Sequence, residues 1–307
     1  CGAGIKNSNS HEEVISLSKN LNIPLVSSAG HGDVLPFDCD LYAGQMGPRG
    51  NKVASYLANH ADLILAIGTR LGFNSTFYSY DSISKFAKIV QVDIDPIALG
   101  RYFPIEVGIN NDAKKFLENF NYYLKLRKQN RPIAHILGFK DFWKYKFKVD
   151  KNVLIPRPET ELIIEQALKI LPKLSNKNIL DIGTGSGCII ISIIKERENC
   201  KATAIDKSLK ALKVAKLNAE MHQVQKKIKF LNIDVDKYFA NKYDLIVSNP
   251  PYIKDSEILS LDKDVKLNEP KLALLGGKSG LNKVFKVIKK SQKLLKTKGK
   301  LILEIGD

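Results

Sequence analysis

The sequence predicts an α/β protein with two parallel-sheet domains, and three observations lead to this fold class. Short apolar runs alternate with stretches of helical periodicity, which is the pattern of parallel sheets covered by helices. The length of 307 residues is enough for about two domains. Charge divides the chain: residues 1–125 carry 11 Lys and Arg against 12 Asp and Glu, and residues 126–307 carry 37 against 20. We therefore predict two Rossmann-like domains, 1–125 and 126–307, with a polar boundary near residues 122–130.

The composition excludes several classes of protein. With 44% hydrophobic and 26% charged residues, the chain resembles folded globular proteins rather than disordered ones. Its longest apolar runs, such as residues 188–194, are far shorter than the ~20 residues that cross a membrane, so no membrane partner is expected. The four cysteines have no C-x-x-C spacing, and we expect neither disulfides nor a metal site. Because no signal peptide is visible, we expect a cytoplasmic protein.

The basic character of residues 126–307 comes almost wholly from lysine. Across the chain Lys outnumbers Arg 41 to 7, whereas phosphate recognition usually recruits Arg for its forked donor geometry. A solvated, Lys-rich surface and an electrostatic role towards an RNA-rich or acidic partner both remain open. No direct binding of DNA is expected.

Residues 1–125 show the alternation of strands and helices most clearly. Strands are predicted at residues 23–27, 62–67 and 88–92, and helices at 10–21, 50–61 and 111–124. No G-x-G-x-x-G motif follows a strand in this part, so the dinucleotide fingerprint is missing. Asp93 and Asp95 could form a pair of carboxylates, but Pro96 after them favours a turn at the end of a strand.

Five short motifs follow one another in this first domain: Gly2-Ala-Gly4, Asn22-Ile-Pro24-Leu-Val, Leu41-Tyr-Ala-Gly44-Gln-Met-Gly47, Ala61-Asp-Leu-Ile-Leu-Ala-Ile-Gly68-Thr-Arg70 and Val92-Asp-Ile-Asp95-Pro96. Their order resembles the central domain of thiamine-diphosphate-dependent enzymes of the acetolactate synthase type. The resemblance covers residues 1–120 and implies a domain that in some members holds FAD or another nucleotide. The flanking domains that hold thiamine diphosphate in that family have no counterpart in the sequence, so no catalysis is assigned to this half.

A tight glycine turn follows the first predicted parallel strand of residues 126–307. The segment Asn178-Ile-Leu-Asp181-Ile-Gly183-Thr184-Gly185-Ser186-Gly187 reads as a strand, a turn and the start of a helix. Glycines allow the backbone to come close to a ligand, and a helix N-terminus favours a negative group. The next strand ends in Asp206, whose carboxylate can accept both hydroxyls of a ribose. On these grounds alone the turn could serve any of several nucleotides.

The pattern D-x-G-x-G-x-G, with an acidic residue after the second strand, resembles the methyltransferases that use S-adenosyl-L-methionine (AdoMet). The resemblance implies a class I methyltransferase fold with AdoMet as the methyl donor. Asp234 and Val235 follow the third strand and would face the adenine, although an aromatic residue often stands where this chain has Val235. The implied AdoMet-binding residues are Asp181, Gly183, Thr184, Gly185, Ser186, Gly187, Asp206, Asp234, Val235 and Asn249.

The fourth predicted strand is followed by Asn249-Pro250-Pro251-Tyr252, a motif suited to the methylation of a planar NH2 group. An amide nitrogen is a poor nucleophile because its lone pair is delocalised. The side-chain carbonyl of Asn249 and the backbone carbonyl of Pro250 could accept its two N–H bonds and aim the lone pair at the methyl group, while the prolines stiffen the turn. Tyr252 could pack against the planar group. Asn249, Pro250 and Tyr252 are therefore the predicted catalytic residues.

Segments on either side of these motifs distinguish between substrates. Upstream lie Arg131-Pro-Ile-Ala-His135-Ile-Leu-Gly138 and Val153-Leu-Ile-Pro156-Arg157-Pro158-Glu159-Thr160-Glu161, and downstream lie Asn268-Glu269-Pro270 and Gly276-Gly277. Together they closely resemble the HemK family, the release-factor glutamine methyltransferases. The resemblance covers residues 127–307 and implies N5-methylation of the Gln in the Gly-Gly-Gln tripeptide of peptide-chain release factors. The related enzymes that modify a ribosomal protein carry Pro-Arg-Ser-Pro in the second segment instead.

The same resemblance implies which residues hold the substrate. Release factors are the expected protein partners, and their glutamine would lie against the Asn-Pro-Pro-Tyr motif. A further group would border the pocket, or would form a turn held by salt bridges. The implied substrate-binding residues are Asn249, Pro250, Pro251 and Tyr252, with Arg157, Glu159 and Thr160 as the bordering group.

Two alternative functions remain open from the sequence. A nucleic-acid amino-methyltransferase, acting on adenine N6 or guanine N2, would share the Asn-Pro-Pro-Tyr motif. Residues 1–125 alone could instead be a non-catalytic nucleotide-binding module of a thiamine-diphosphate enzyme. The N-terminal helical domain of the HemK family and the last two strands of its sheet have no counterpart in the sequence. We therefore expect a methyltransferase domain truncated at its C-terminus and joined to a fragment of a second protein.

Overall fold

The computed structural model describes residues 1–36, 38–76, 79–239 and 242–306. The chain divides into two compact units, Cys1–Lys125 (unit 1) and Leu126–Asp307 (unit 2). Both units contain parallel strands with helices between them. The α/β class predicted from the alternating pattern is confirmed.

Unit 1 is built around two small parallel sheets. In chain order its strands are β1 (Leu25–Ser27), β2 (Tyr42–Gln45), β3 (Leu63–Ile67), β4 (Lys88–Asp93) and β5 (Val107–Asn110), and its helices are α1 (Ala3–Asn7), α2 (His11–Leu21), α3 (Lys52–His60), α4 (Phe73–Thr76) and α5 (Ala113–Lys128). Strand β1 pairs with β2, and β4 lies between β3 and β5. Apolar residues of α1, α2 and α5, among them Ile5, Val14 and Leu117, form one buried cluster with residues of β1 and β4.

Helix α5 runs through the predicted polar boundary. The sequence predicts a helix at residues 111–124 and a polar boundary near 122–130, whereas the structure continues α5 to Lys128. The difference follows from helix propensity, because Leu, Lys and Arg are strong helix formers. A polar stretch made of such residues supports an exposed helix as readily as a linker. The division between unit 1 and unit 2 therefore falls inside a helix rather than in a loop.

Unit 2 is built around a five-stranded parallel sheet. In chain order its strands are β6 (Phe139–Phe142), β7 (Tyr145–Lys148), β8 (Asn178–Ile182), β9 (Lys201–Asp206), β10 (Ile228–Asn232), β11 (Tyr243–Ser248), β12 (Ile253–Lys254), β13 (Leu275–Gly277) and β14 (Leu295–Leu303). Its helices are α6 (Ile133–Leu137), α7 (Glu161–Ile170), α8 (Cys188–Glu196), α9 (Leu209–Met221), α10 (Lys263–Asn268), α11 (Lys271–Leu274) and α12 (Asn282–Leu294). The sheet has the order β10-β9-β8-β11-β14, while β6 and β7 form a separate antiparallel hairpin.

The strand order of this sheet reverses at β8. From β8 the chain moves outward to β9 and β10 and then crosses to the other side, where β11 and β14 lie. Parallel sheets bind ligands in the crevice beyond the carboxyl ends of the strands at such a reversal. The strand ends are level, because Ile182 of β8 pairs with both Ile205 of β9 and Ser248 of β11. The residues that follow these three strands are therefore brought to one edge.

Apolar side chains cover both faces of the sheet, because successive residues of each strand point to opposite sides. On one face, Ile179 of β8 packs in a cluster with the isoleucines of α8 and with Ile163 and Ile164 of α7. On the other face, Leu180 packs in a cluster with residues of α12. The strands read as continuous apolar runs, as expected for parallel strands buried on both sides.

Helix α12 buries a face different from the one that its apolar pattern predicts. That pattern predicts a core face of Leu281, Val284, Phe285, Ile288 and Leu295. In the structure Phe285 is 61% exposed, and the buried residues of the helix are Val284, Val287, Lys290, Ser291 and Leu294. The prediction is confirmed for Val284 and is wrong for Leu281 and Phe285. Lys290 lies on the buried face instead and donates from Nζ to the carbonyl oxygen of Asp236 at 3.1 Å. Its aliphatic stem packs while its charged end finds an acceptor.

Strand β14 begins earlier than predicted. The apolar run at residues 301–307 predicts it, whereas the observed strand starts at Leu295, and Asp307 lies outside the described residues. Its pairing with β11 is irregular, since Tyr243 pairs with Leu295 but Leu245 pairs with Lys300. The extra residues of β14 between these two pairs form a bulge. They lie in a polar stretch, so the apolar pattern of the sequence does not reveal this part of the strand.

Candidate active site

Three segments that follow strands of the sheet in unit 2 converge at one edge. They are the glycine turn after β8, Asp206 at the end of β9, and the Asn-Pro-Pro segment after β11. Together with residues from 152–160 and 270–273 they line a cavity of about 210 Å³. The predicted site residues on this cavity are Arg157, Thr160, Gly183, Thr184, Gly185, Ser186, Asp206, Asp234, Val235, Asn249, Pro250 and Pro251.

The glycine turn presents bare backbone to this cavity. Gly183 and Gly185 have φ angles of 74° and 56°, in the left-handed region that suits glycine. A Cβ atom on either residue would meet no other atom within 4 Å, so a ligand has room to approach the main chain. Strand β9 supports the turn, because the N–H groups of Gly183 and Thr184 donate to the carbonyl oxygen of its residue Ile205 at 2.9 and 3.1 Å.

Asp206 is fixed in place by the backbone on both sides of its carboxylate. Its Oδ2 accepts from the N–H of Gly185 at 2.9 Å, and its Oδ1 accepts from the N–H of Ser208 at 2.8 Å. Burial raises the pKa of Asp206, while these two hydrogen bonds oppose the shift. Each carboxylate oxygen has a second lone pair. The side chain can therefore accept hydroxyl groups of a ligand without giving up its own contacts.

Asp181 lies beneath the glycine turn and is fully buried. Thr184 donates its hydroxyl to Oδ2 of Asp181 at 2.6 Å, and Oδ1 has no hydrogen-bond partner among the described residues. Burial raises the pKa of this carboxyl to about 7, and the charge of Asp206 adds to the shift. Asp181 is predicted to bind AdoMet, but the structure places it below the cavity lining, where it holds Thr184.

Three more predicted residues do not line the cavity. Gly187 precedes α8 with a φ of 81°, and a Cβ on it would lie 2.9 Å from Cδ1 of Ile191, so packing requires this glycine. Glu159 is exposed on the turn before α7. Tyr252 donates its hydroxyl to Oε1 of Glu304 at 3.3 Å. The structure thus places these three residues outside the lining of this cavity, and their contacts with AdoMet or substrate stay a prediction.

Asn249 directly follows β11 and reaches Thr160, which is distant in sequence. Its Nδ2 donates to Oγ1 of Thr160 at 3.0 Å. Thr160 ends the short 3-10 helix Pro158–Thr160, and its residue surface is only 3% exposed. The predicted catalytic residue Asn249 and the predicted pocket residue Thr160 are thus brought into direct contact.

A buried glutamate that sequence reasoning gave no role holds the segment before Thr160. Oε1 of Glu269 accepts from Nη2 of Arg157 at 2.6 Å, and its Oε2 accepts from the N–H of Ile155 at 3.2 Å. A turn held by salt bridges was one of the two alternatives for this segment, and Arg157 forms such a salt bridge with Glu269. The sequence did contain one hint of this role: Glu269 is an acidic residue between Asn268 and Pro270, in a motif that resembles the HemK family. Nothing in the sequence paired it with a residue 112 positions away.

Asp234 and Val235 lie at the side of the cavity, after β10. Val235 begins the 3-10 helix Val235–Lys237, which Asp234 caps by accepting from the N–H of Asp236 at 3.1 Å. That hydrogen bond, with Lys207 at 3.4 Å, lowers the pKa of Asp234. The apolar side chain of Val235 joins the same buried cluster as Ile205. Both residues lie on the cavity that the glycine turn lines.

Unit 1 has a cavity of its own at the carboxyl ends of β3 and β4. It has a volume of about 650 Å³, and its lining includes Ser28, Thr69 and Asp93. Asp93 accepts from the N–H of Asp95, and Asp95 accepts from the N–H of Ile97, both at 3.0 Å. The two carboxylates thus stabilise the turn that leads into Pro96.

Neither metal clusters nor membrane spans are found in the described part of the chain. Within residues 1–36, 38–76, 79–239 and 242–306, no group of three or more His, Cys, Asp and Glu side chains is arranged to hold a metal ion. None of the helices in these ranges combines the length and the apolar character of a membrane span.

Two family models match separate parts of the chain. Residues 1–120 match the model described as the thiamine pyrophosphate enzyme central domain. Residues 160–264 match the model described as the methyltransferase small domain, and this range contains the glycine turn, Asp206 and the Asn-Pro-Pro segment.

The curated relatives agree with the second model. The release factor glutamine methyltransferase of Clostridium acetobutylicum is 34% identical over 247 residues, which cover 80% of this chain and 84% of that protein. The protein of the same name from Caulobacter vibrioides is 39% identical over 191 residues, covering 62% and 66%. A SAM-dependent methyltransferase from Geobacter sulfurreducens, solved with S-adenosyl-L-homocysteine, is 19% identical with a TM-score of 0.32 and covers 48% of this chain and 47% of that one.

Proposed function

Since this chain belongs to the family of release factor glutamine methyltransferases, we propose that residues 126–307 form a domain that methylates a release factor. The methyl group would pass from AdoMet to the N5 nitrogen of the glutamine in the Gly-Gly-Gln tripeptide. Residues 1–125 would form a separate domain without a part in the chemistry. Since release factors act in the cytoplasm, the proposed substrate also implies that location.

One observation carries this proposal: the glycine turn and the Asn-Pro-Pro segment line the same cavity. The turn offers open backbone at Gly183 and Gly185, and the segment offers the oxygen acceptors that an NH2 group requires. A methyl donor and an amide acceptor would therefore meet within one cavity. Bringing the two reactants into contact in a fixed geometry is a large part of catalysis for a transfer between two molecules.

The residues on the cavity fit AdoMet in three respects. The space above Gly183 and Gly185 is empty, so the main chain can contact the ligand closely. The carboxylate of Asp206 has free acceptor capacity for ribose hydroxyls. Val235 offers an apolar side chain for one face of the adenine. When bound, AdoMet supplies a methyl group on a positively charged sulfur, which is a strong electrophile.

The Asn-Pro-Pro segment would hold the substrate amide. Oδ1 of Asn249 and the backbone oxygen of Pro250 would accept the two N–H bonds of the glutamine side chain, which directs the nitrogen lone pair at the methyl carbon. As the N–C bond forms, the C–S bond breaks and its electron pair stays on sulfur. The nitrogen becomes positively charged and then loses one proton to water. No general base is required before the attack.

The proposed function is tested with labelled AdoMet and three acceptors: a release factor, the same factor with its Gly-Gly-Gln glutamine changed to alanine, and DNA. We expect label on the unchanged factor and none on its variant or on DNA. Label on DNA alone would favour the nucleic-acid amino-methyltransferase that shares the Asn-Pro-Pro-Tyr motif, and would overturn the proposal.

The role of Asn249 is tested by Asn249→Ala. Loss of the carbonyl that holds the substrate amide should reduce kcat at least 100-fold, equivalent to about 3 kcal/mol of transition-state stabilisation. AdoMet should still bind to the variant, as measured by calorimetry. Asn199→Ala, in an exposed loop of unit 2, is the matched control and should behave as the unchanged protein. Full transfer by Asn249→Ala would show that amide positioning is not the mechanism.

A further inference from the structure

The side-chain amide of Asn249 has two chemically different ends, and the structure shows which end is used internally. Nδ2, a donor, bonds to Oγ1 of Thr160 at 3.0 Å, so the carbonyl oxygen Oδ1 remains for other partners. The substrate NH2 group can only donate when it meets Asn249. In this arrangement Oδ1 of Asn249 can accept from the substrate.

Thr160 is itself held firmly. Its N–H donates to the carbonyl oxygen of Arg157 at 3.1 Å, which closes the short 3-10 helix. The residue is 3% exposed, and the chain continues directly into α7, whose Ile163 and Ile164 are buried in the main core cluster. A hydroxyl on such a support has little freedom to follow a rotation of the Asn249 amide.

Glu269 secures the same segment from the other side. Its side chain is 1% exposed and is paired with Arg157 at 2.6 Å, while its second oxygen accepts from the N–H of Ile155 at 3.2 Å. A buried carboxylate with both oxygens engaged resists displacement, because any movement leaves a buried charge without partners. The segment 155–160 is thus fixed at both of its ends.

We propose that Thr160 is a positioning residue that anchors the side chain of Asn249 at the cavity, and that Glu269 fixes Thr160 through the segment 155–160. This inference rests on the proposed function, since it concerns the same amide acceptor. Without the hydroxyl of Thr160, the Asn249 amide loses the hydrogen bond that anchors it and can rotate freely, including into positions in which its own NH2 group meets the NH2 group of the substrate. Two donors then face each other, and the substrate nitrogen loses an acceptor that aligns it.

The kinetic test compares Thr160→Val, which replaces the hydroxyl by a methyl group of similar size, with Thr160→Ser, which keeps the hydroxyl. We expect Thr160→Val to lower kcat at least tenfold, with KM for the release factor and the Kd of AdoMet changed less than threefold. Thr160→Ser should restore kcat to within threefold of the unchanged protein. Thr297→Val, at an exposed position of β14, is the matched control.

Each kinetic result supports or overturns the inference. A direct contact between Thr160 and the substrate would raise KM rather than lower kcat, and a purely structural role would leave Thr160→Ser as impaired as Thr160→Val. Either pattern, or an unchanged kcat in Thr160→Val, overturns the inference. If the unchanged protein does not methylate the release factor at all, the proposed function fails and a second measurement decides about Thr160.

That second measurement does not depend on turnover. In protein labelled with 15N-asparagine, the NMR signals of the Asn249 NH2 group are identified by their absence in Asn249→Ala. We expect their exchange with solvent to be at least tenfold faster in Thr160→Val than in the unchanged protein, Thr160→Ser and Thr297→Val. Equal exchange in all of them would show that Thr160 does not hold the amide.

Discussion

Asp181 and Asp206 lie close together at the cavity of unit 2, but they are held differently. Asp206 accepts two backbone hydrogen bonds and reaches the cavity surface, whereas Asp181 is fully buried with one oxygen unpartnered among the described residues. The sequence motif makes both residues equivalent candidates for AdoMet. Burial separates them into one carboxyl that lines the cavity and one that supports the turn.

The buried carboxyl makes a specific contribution to the pH dependence of stability. The pKa of Asp181 rises from 3.8 to about 7 on folding. Between these pH values the folded chain keeps a proton that the unfolded chain has lost. The free energy of unfolding due to this group therefore falls as pH rises, by up to about 1.4 kcal/mol per pH unit, and the loss is complete above pH of about 7.

Asp181→Asn removes this titration. We expect the free energy of unfolding of the variant, minus that of the unchanged protein, to increase steadily from pH 4 to pH 7. Urea unfolding followed by the fluorescence of Trp143, the only tryptophan of the chain, measures it for unit 2. A difference that stays constant over this range would contradict the assignment.

Asp244→Asn provides a control of opposite sign. Burial alone would raise the pKa of Asp244, but hydrogen bonds from Lys296 and from the N–H of Asn178 outweigh it and lower the pKa. The stability contributed by this carboxylate is present above the unfolded pKa and is lost as pH falls through the folded one. The cost of Asp244→Asn should therefore be constant between pH 5 and 7 and shrink in more acidic solution.

At the scale of elements, the turn between β8 and α8 combines two kinds of glycine. Gly185 faces open cavity, whereas a Cβ on Gly187 would lie 2.9 Å from Ile191 and 3.2 Å from Ala215. Both residues have positive φ. One glycine therefore leaves room for a ligand, and the other allows α8 to pack on α9.

Alanine at these two positions should separate the two effects. Gly187→Ala combines a left-handed conformation with overpacking and should lower the free energy of unfolding by about 2–4 kcal/mol. Gly185→Ala carries only the conformational cost of about 1–2 kcal/mol, but it should weaken AdoMet binding at least tenfold. Urea unfolding and calorimetry measure the two quantities. Tight AdoMet binding by Gly185→Ala would mean that the ligand does not approach this part of the backbone.

For the whole molecule, unit 1 and unit 2 differ in charge and have separate cores. Residues 1–125 are nearly neutral, whereas residues 126–307 carry 37 Lys and Arg against 20 Asp and Glu. The buried clusters of unit 1 draw on residues of unit 1 alone, and those of unit 2 on residues of unit 2. Each unit therefore has the apolar contacts needed for a cooperative transition of its own.

We expect scanning calorimetry of the full chain to show two unfolding transitions, of which AdoMet shifts only one. At 100 times its Kd a ligand adds about 2.7 kcal/mol to stability, which corresponds to a rise in Tm of about 5–10 °C for a unit of this size. The shifted transition should be the one that Trp143 fluorescence reports. A single transition, or a shift confined to the transition that Trp143 does not report, would contradict the division of roles. FAD, added in a second scan, tests whether unit 1 binds a nucleotide.

The strands and the ligand edge of unit 2 were predictable because they depend on local patterns. The apolar run of β8, the glycine turn and Asp206 each give a signal within a few residues, and parallel strands place such signals at one edge. The pairing of Glu269 with Arg157 was not predictable, because it joins residues far apart in sequence. The core face of helix α12 was predicted only in part, at Val284, because the apolar pattern could not reveal that Lys290 is buried along its aliphatic stem.

Cys188 at the start of α8 lines the cavity proposed for AdoMet, and this position has a consequence for which nucleophile is methylated. A thiolate beside a sulfonium would compete with the substrate amide for the methyl group. Burial raises the pKa of Cys188 to about 12, so that roughly one molecule in 100,000 carries a thiolate at pH 7. The apolar packing that builds the core of unit 2 thereby keeps this thiol in its weakly nucleophilic, protonated form.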